Sequence, residues 1–255
     1  MYAEERQQAI VELIISRGRM SVNDLSAQFS VTTETVRRDL SALEEVRLVR
    51  RVHGGAIAAD AVTVIETGLS DRDQSHPAEK DRIAAAAVDQ LPPGDATVLI
   101  DAGSTTVRLA GLLPLDRRLT VLTHSVAVAL RLTGQPNLDV HMLPGRVRRA
   151  TLAAVGTETV AALDQIRADV AFVGTNGITV RHGLSTPHHA EAATKSAIID
   201  SAHRVVVLAD ASKIGVERTV RFAELSRVDM LITDEGIADT DREAFEAAGV
   251  EVVVA

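Results

Sequence analysis

Apolar residues fall at helical spacing along the first fifty positions. From about Ala78 onward the pattern becomes short apolar runs alternating with helical stretches. Ile10, Leu13 and Ile14 form one stripe, which predicts a helix over Glu4–Ser16 ended by Gly18. Ser21-Val22-Asn23-Asp24 has the S-x-x-D capping pattern, and Val22, Leu25 and Phe29 follow on one face of a second helix. After the polar turn Ser30-Val31-Thr32, Thr32 is placed to cap a third helix, with Glu34 in its first turn where negative charge suits the helix dipole. In that helix Val36, Leu40 and Leu43 lie at i, i+4 and i+7 and face the core. At about 100° per residue, Arg38 points away from Val36, with Arg37 beside it.

Two helices joined by a short turn, the second presenting Thr33, Glu34, Thr35, Arg37 and Arg38, is the helix-turn-helix arrangement, in which the second helix enters the major groove. Leu48–His53 then reads as a strand, Gly54-Gly55 as a tight turn, and Ala56-Ile57 as the start of a return strand. That hairpin is a wing, with Arg50, Arg51 and His53 set to meet phosphates or the minor groove. Either arginine pair alone is an ordinary solvated charge. It is the order of helices, turn, arginines and glycines that points to DNA, with Thr32 leading the recognition helix.

Composition narrows the remainder. The chain has 255 residues with 46% hydrophobic and 2% aromatic residues, so its core is built from Val, Ile, Leu and Ala. Absence of cysteine excludes disulfides, thiolate metal sites and cysteine nucleophiles, and fits a reducing cytoplasm. The charged start MYAEERQQAI is no signal peptide, and no apolar run approaches the ~18 residues of a membrane span, so a cytoplasmic protein is expected. Residues 1–57 balance eight Arg against eight acidic residues, and the remainder carries the whole net charge of −8. An acidic chain still binds nucleic acid when one small domain focuses positive charge on one face. Residues 58–77 lack firm periodicity and hold Gly68, Ser70, Asp71, Ser75 and Pro77, which predicts a connecting segment between domains of 1–57 and 78–255.

In the second domain strands are predicted at Val98–Ile100, Leu119–Leu122, Leu138–Leu143, Val170–Val173, Val205–Leu208, Met230–Ile232 and Val250–Val254. Continuous apolar runs separated by helices imply an α/β fold with a mainly parallel sheet covered on both faces. Ligands of such sheets gather at the C-terminal strand ends. Those ends carry Asp101, His124-Ser125, Gly145-Arg146, Asn176-Gly177, and Asp210 followed by Lys213. The loop Gly103-Ser104-Thr105-Thr106 precedes a helix and offers hydroxyls and backbone N–H groups to an anion, although alone it is equally a helix cap. Glu191 and Lys195 are spaced i, i+4 on a helix, which by itself reads as a surface salt bridge. Only three lysines occur beside 24 arginines, which favours retention of Lys195 and Lys213 for chemistry. His188-His189 with Glu191 lacks a third ligand at workable spacing, so no metal site and no cofactor are expected.

The run VTTETVRRDLSALEEVRLVRRVHGGA resembles the winged helix-turn-helix of DeoR-family bacterial transcriptional regulators. The one departure there is Arg47, where the family usually has a capping Gly. The resemblance continues through DAGSTT, THS, PGR, GTNGI, Glu191/Lys195 and DASKIG. It implies a sensor domain similar to ribose-5-phosphate isomerase and glucosamine-6-phosphate deaminase. A phosphosugar effector would then place its phosphate near Gly103–Thr106 and its hydroxyls near Asp101, Asn176, Glu191 and Lys195. His124 replaces the usual Asn and Arg146 the usual second Gly, the latter as a further phosphate contact or as pocket filling. The opening residues also resemble actinobacterial members associated with fructose and phosphotransferase sugar uptake. The expected function is therefore a sugar-phosphate-responsive regulator, a repressor acting on operator DNA as a homodimer or homotetramer. The rivals are a phosphosugar isomerase or deaminase carrying a DNA-binding appendage, with Asp101, Glu191 and Lys195 as acid–base groups, and a DNA-architectural protein.

Overall fold

A computed structural model of the chain describes residues 3–17, 19–45, 48–52, 54–58 and 68–255. The chain divides into two compact units, Met1–Glu66 and Thr67–Ala255.

The N-terminal unit runs α1 (Ala3–Arg17), β1 (Arg19–Ser21), α2 (Val22–Phe29), α3 (Thr33–Glu45), β2 (Val49–Val52) and β3 (Gly55–Ala58). Ile10, Ile14, Leu25, Val36, Leu40 and Leu43 meet in one core, as the helical spacing requires. Ser21 caps α2, its Oγ accepting from the Asp24 N–H at 3.1 Å, and Ser30 closes that helix in the left-handed conformation. Thr32 caps α3, accepting from the Thr35 N–H at 3.2 Å. β1 is an element that three residues of sequence could not announce. It pairs antiparallel with β3, and makes the wing a three-stranded sheet in the order β1-β3-β2. This pairing explains the glycine doublet. Gly54 takes a positive φ of 80°, and a Cβ on Gly55 would sit 2.2 Å from the Met20 carbonyl oxygen of β1. Arg47 and His53 lie outside the described residues. The Leu48 N–H donates to the Leu43 carbonyl at 2.8 Å.

The C-terminal unit opens with α4 (Leu69–Gln74) and α5 (Pro77–Val88), followed by β4 (Ala96–Ile100), α6 (Ser104–Ala110), β5 (Leu119–Thr123), α7 (Val126–Leu132) and β6 (Leu138–Met142). A hairpin of β7 (Arg146–Arg148) and β8 (Ala153–Val155) leads to α8 (Thr157–Asp164), β9 (Ala168–Gly174), β10 (Gly177–Thr179), β11 (Gly183–Thr186) and α9 (His189–Asp200). The chain finishes with β12 (Ala202–Leu208), β13 (Val220–Ala223), β14 (Met230–Thr233), α10 (Asp239–Ala247) and β15 (Glu251–Val254). Part of the expected connecting segment is therefore structured: α4 falls inside residues 58–77 and belongs to the C-terminal unit. It escaped the periodicity because none of its residues is fully buried.

All seven predicted strands join one parallel sheet in the order β15-β14-β12-β9-β4-β5-β6. Alternate residues feed opposite cores. Val98 and Ile100 pack with Ile83, Leu109 and Val128 on one face, while Leu99 packs with Leu163, Ile198 and Phe245 on the other. From β4 the chain adds β5 and β6 on one side and later places β9 on the other. The strand order thus reverses between β4 and β9, and the crevice at their C-terminal ends is where ligands of doubly wound sheets bind.

Candidate functional site

On α3 the buried stripe of Val36, Leu40 and Leu43 leaves Arg37 and Arg38 exposed, with Thr32 and Glu34 exposed and Thr33 and Thr35 half-buried ahead of them. Among the described residues Arg37 pairs with the exposed Glu34, at 3.4 Å, a screened pair that releases the guanidinium cheaply. Wing and helix are joined. The Arg51 N–H donates to Glu44 at 2.8 Å, and its guanidinium donates to the Ser41 hydroxyl at 3.0 Å. Arg51 therefore lies alongside α3 and remains exposed; the side chain of Arg50 lies outside the described residues. Asp39 was missed, although it follows Val36 by three positions and so falls on the buried stripe. It is 2% exposed and pairs with Arg6 of α1 at 2.6 Å, fixing α3 to the first helix.

The second cluster lies at the reversal point of the sheet. Asp101 ends β4 and is fully buried. Its Oδ2 accepts from the Gly174 N–H at the end of β9, 2.8 Å away, and from the Lys195 ammonium of α9. Its Oδ1 faces His124 Nε2 at 2.9 Å. Burial alone would raise the Asp101 carboxyl, but Lys195 and then His124 outweigh it and hold it at about 2. His124 Nδ1 lies 2.8 Å from the Ala154 carbonyl, so that nitrogen carries a proton, and the Ala102 N–H approaches Nε2 at 3.1 Å. Lys195 also donates to the Gly174 carbonyl at 2.8 Å and lies 5.6 Å from the Phe222 ring centre.

Glu191 is 4% exposed and Lys195 5%, so their i, i+4 spacing does not make the surface salt bridge it suggests. Its carboxylate accepts from the Arg148 guanidinium and, at 2.6 Å, from the Thr151 hydroxyl. Burial pushes Glu191 up, while Lys195, Thr151 and Arg148 pull it further down, leaving it below the usual carboxylate range. Arg148 and Thr151 carry no motif, and only the hairpin turn between β7 and β8 brings them here.

Other expected residues divide by role. The Thr106 hydroxyl is consumed inside its own loop, donating to Asp101 O at 2.7 Å, and Ser125 caps α7. Ser104 and Thr105 have no side-chain hydrogen bond among the described residues. Gly103 is extended, and Gly145 takes a φ of 137° close against Thr159. Arg146 is exposed and does not fill a pocket, Asn176 is half-buried, and Gly177 packs beneath Val216. Asp210 caps the turn that follows β12, with Lys213 half-buried at 3.9 Å. Two further cations stand out. Lys80 is 3% exposed; its ammonium donates to the carbonyls of Arg72 and Ser75, and burial lowers it while Asp210 counteracts. Arg218 donates to the Asn176 carbonyl at 3.3 Å, and burial alone lowers its guanidinium.

Two family models match the chain. Residues 6–62 match the DeoR-like helix-turn-helix domain and residues 75–235 the DeoR C terminal sensor domain. The chain is 36% identical over 253 residues to the HTH-type transcriptional regulator GlpR of Haloferax volcanii, covering 99% of this chain and 98% of that protein. It is 32% identical over 234 residues to the glycerol-3-phosphate regulon repressor of Escherichia coli K12, covering 92% of each. Among solved structures, ribose 5-phosphate isomerase A of Methanocaldococcus jannaschii is similar over 55% of each chain, with 18% identity and a TM-score of 0.41. With the helix-turn-helix, the doubly wound unit and relatives that align over nearly the whole chain, the chain belongs to the DeoR family of transcriptional regulators.

Proposed function

We propose that the protein is a repressor whose operator affinity is set by a phosphorylated sugar, with a fructose phosphate the first candidate, and that it acts as a homodimer or homotetramer. The observation that carries the effector reading is the position of Asp101. It bridges the two strands at which the sheet reverses and gathers His124, Lys195 and the Gly174 backbone beside the loop Gly103–Thr106. The hydroxyls of Ser104 and Thr105 and the N–H groups that open α6 suit a phosphate dianion, which a neutral sugar would leave unpaired. Arg218 and Lys213 supply positive charge nearby on the same rim of strand ends, and Asn176 offers an amide to a sugar hydroxyl. Paired subunits would place two recognition helices on two half-sites and multiply a weak single contact.

The test is titration of a duplex selected by the protein from a random pool, in the presence of fructose 1-phosphate, fructose 6-phosphate, glycerol 3-phosphate or free fructose. A fructose phosphate should release the duplex while free fructose does not. Ser104→Glu should abolish the response and leave DNA binding intact, because its carboxylate occupies the phosphate position. Equal effects of free and phosphorylated sugar, or a normal response in Ser104→Glu, would reduce the loop to a helix cap; response to glycerol 3-phosphate alone would replace the fructose phosphate.

A further inference from the structure

We propose that α4, the first described helix of the C-terminal unit, transmits the state of the Glu191 cluster, and that residues 148–152 are the relay. The proposal rests on the effector reading above. α4 is six residues long and contributes no buried residue, so its hold on the sensor unit is mainly polar. Among the described residues there are three anchors. The Leu69 N–H donates to the Ala150 carbonyl at 2.9 Å. Arg108 of α6 donates to the Asp73 carboxylate at 2.9 Å and to the Asp73 carbonyl at 3.0 Å. Lys80 of α5 donates to the carbonyls of Arg72 and Ser75.

Two of these anchors connect directly to the candidate site. Ala150 sits in the turn between Arg148 and Thr151, both of which bond Glu191. Arg108 is on the helix that Ser104 begins, and Lys80 feels the charges of Asp210 and Lys213. The 148–152 turn is also held in an unfavourable shape. Leu152 has a φ of 54°, a left-handed conformation disfavoured for a branched side chain, with its N–H on the Arg148 carbonyl at 2.8 Å. Such a conformation persists only while its surroundings over-determine it, and the bonds to Glu191 are part of those surroundings. A ligand that takes Glu191 from Thr151 or Arg148 loosens the turn, withdraws Ala150 from Leu69, and frees the start of α4. A short helix held by few polar bonds opens at low cost, so a modest change at Glu191 is enough.

The first test needs no effector. Amide hydrogen exchange is followed in the full-length protein. Thr151→Val should speed exchange in α4 at least tenfold and leave α10 unchanged, and Thr151→Ser should restore the wild-type rate. Unchanged α4 exchange in Thr151→Val overturns the relay. If Thr151→Val unfolds the unit, seen as fast exchange in α10 as well, Leu69→Pro against Leu69→Ala decides by the same measurement. Proline suits the first helical position and the extended Gly68 before it, and deletes the N–H that Ala150 accepts, whereas alanine keeps it. Faster α4 exchange in the proline variant alone supports the anchor, and equal rates overturn it. In the second test the selected duplex is titrated with fructose 1-phosphate and fructose 6-phosphate. Leu69→Pro should cut the sugar-induced change in affinity at least tenfold with sugar binding unchanged, and Leu69→Ala should respond as wild type. A full response in Leu69→Pro overturns the relay. A wild type that ignores both sugars overturns the effector assignment alone, and exchange then decides the relay.

Discussion

Asp101→Asn isolates the charge at the centre of the sensor unit. Asparagine has the same shape and still accepts from the Gly174 N–H, but it no longer neutralises Lys195, which is 5% exposed. Breaking a buried pair by removing one partner costs about 3–5 kcal/mol, because an uncompensated charge stays buried. For a unit of this size each kcal/mol moves the midpoint by roughly 2–4 °C, so Tm should fall by about 10 °C. Replacing Lys195 by Met as well removes the stranded ammonium, and the double variant should recover part of the loss. The same carboxylate sets an acid limit. It is held at about 2 against an ordinary 3.8, so the folded state binds the proton less readily than the unfolded chain. Its contribution, on the order of 2 kcal/mol, is complete above the unfolded value and is lost as pH falls from about 4 to 2. Thermal unfolding by circular dichroism across pH 2–7 is the assay. Wild type should lose stability across that window more steeply than Asp101→Asn. A midpoint shift below about 2 °C at pH 7, or a double variant as unstable as Asp101→Asn, would refute the reasoning.

Arg37→Ala with Arg38→Ala should abolish specific duplex binding with little change in Tm, because both side chains are exposed; wild-type affinity in a gel shift would remove α3 from the interface. Arg51→Ala should weaken binding to all sequences alike and flatten the slope of log K against log salt by about 0.9, whereas an unchanged slope with altered preference would mean that the wing reads bases. Gly55→Ala should destabilise the N-terminal unit and thereby DNA binding, since its Cβ meets the Met20 carbonyl at 2.2 Å; a wild-type melting profile of that unit would mean that β1 is not held against the wing.

The recognition helix and the parallel sheet were legible because each is a local pattern with one period. Val36, Leu40 and Leu43 can share a face only on a helix, which puts Arg37 and Arg38 outside. A run such as Val98–Ile100 can bury every side chain only in a sheet covered on both faces. Motif order similarly brought Asp101, the Gly103–Thr106 loop and Lys195 into one list of strand-end and helix residues. What sequence could not hold was depth and partnership. The spacing of Glu191 and Lys195 suits an exposed pair, yet both are buried and each finds its closest partner elsewhere: Arg148 for Glu191, Asp101 for Lys195. Those partners lie 43 and 94 positions away, and no periodicity spans such distances. β1 and α4 were invisible for a related reason. β1 is three residues long and exists because β3 offers it an edge, while α4 buries nothing fully and exists because Ala150, Arg108 and Lys80 hold its backbone and Asp73. Local pattern decides which way a residue faces within its own element. Only the tertiary fold decides which charge it meets there, because that meeting is set by the crossing of strands whose order the chain reverses between β4 and β9.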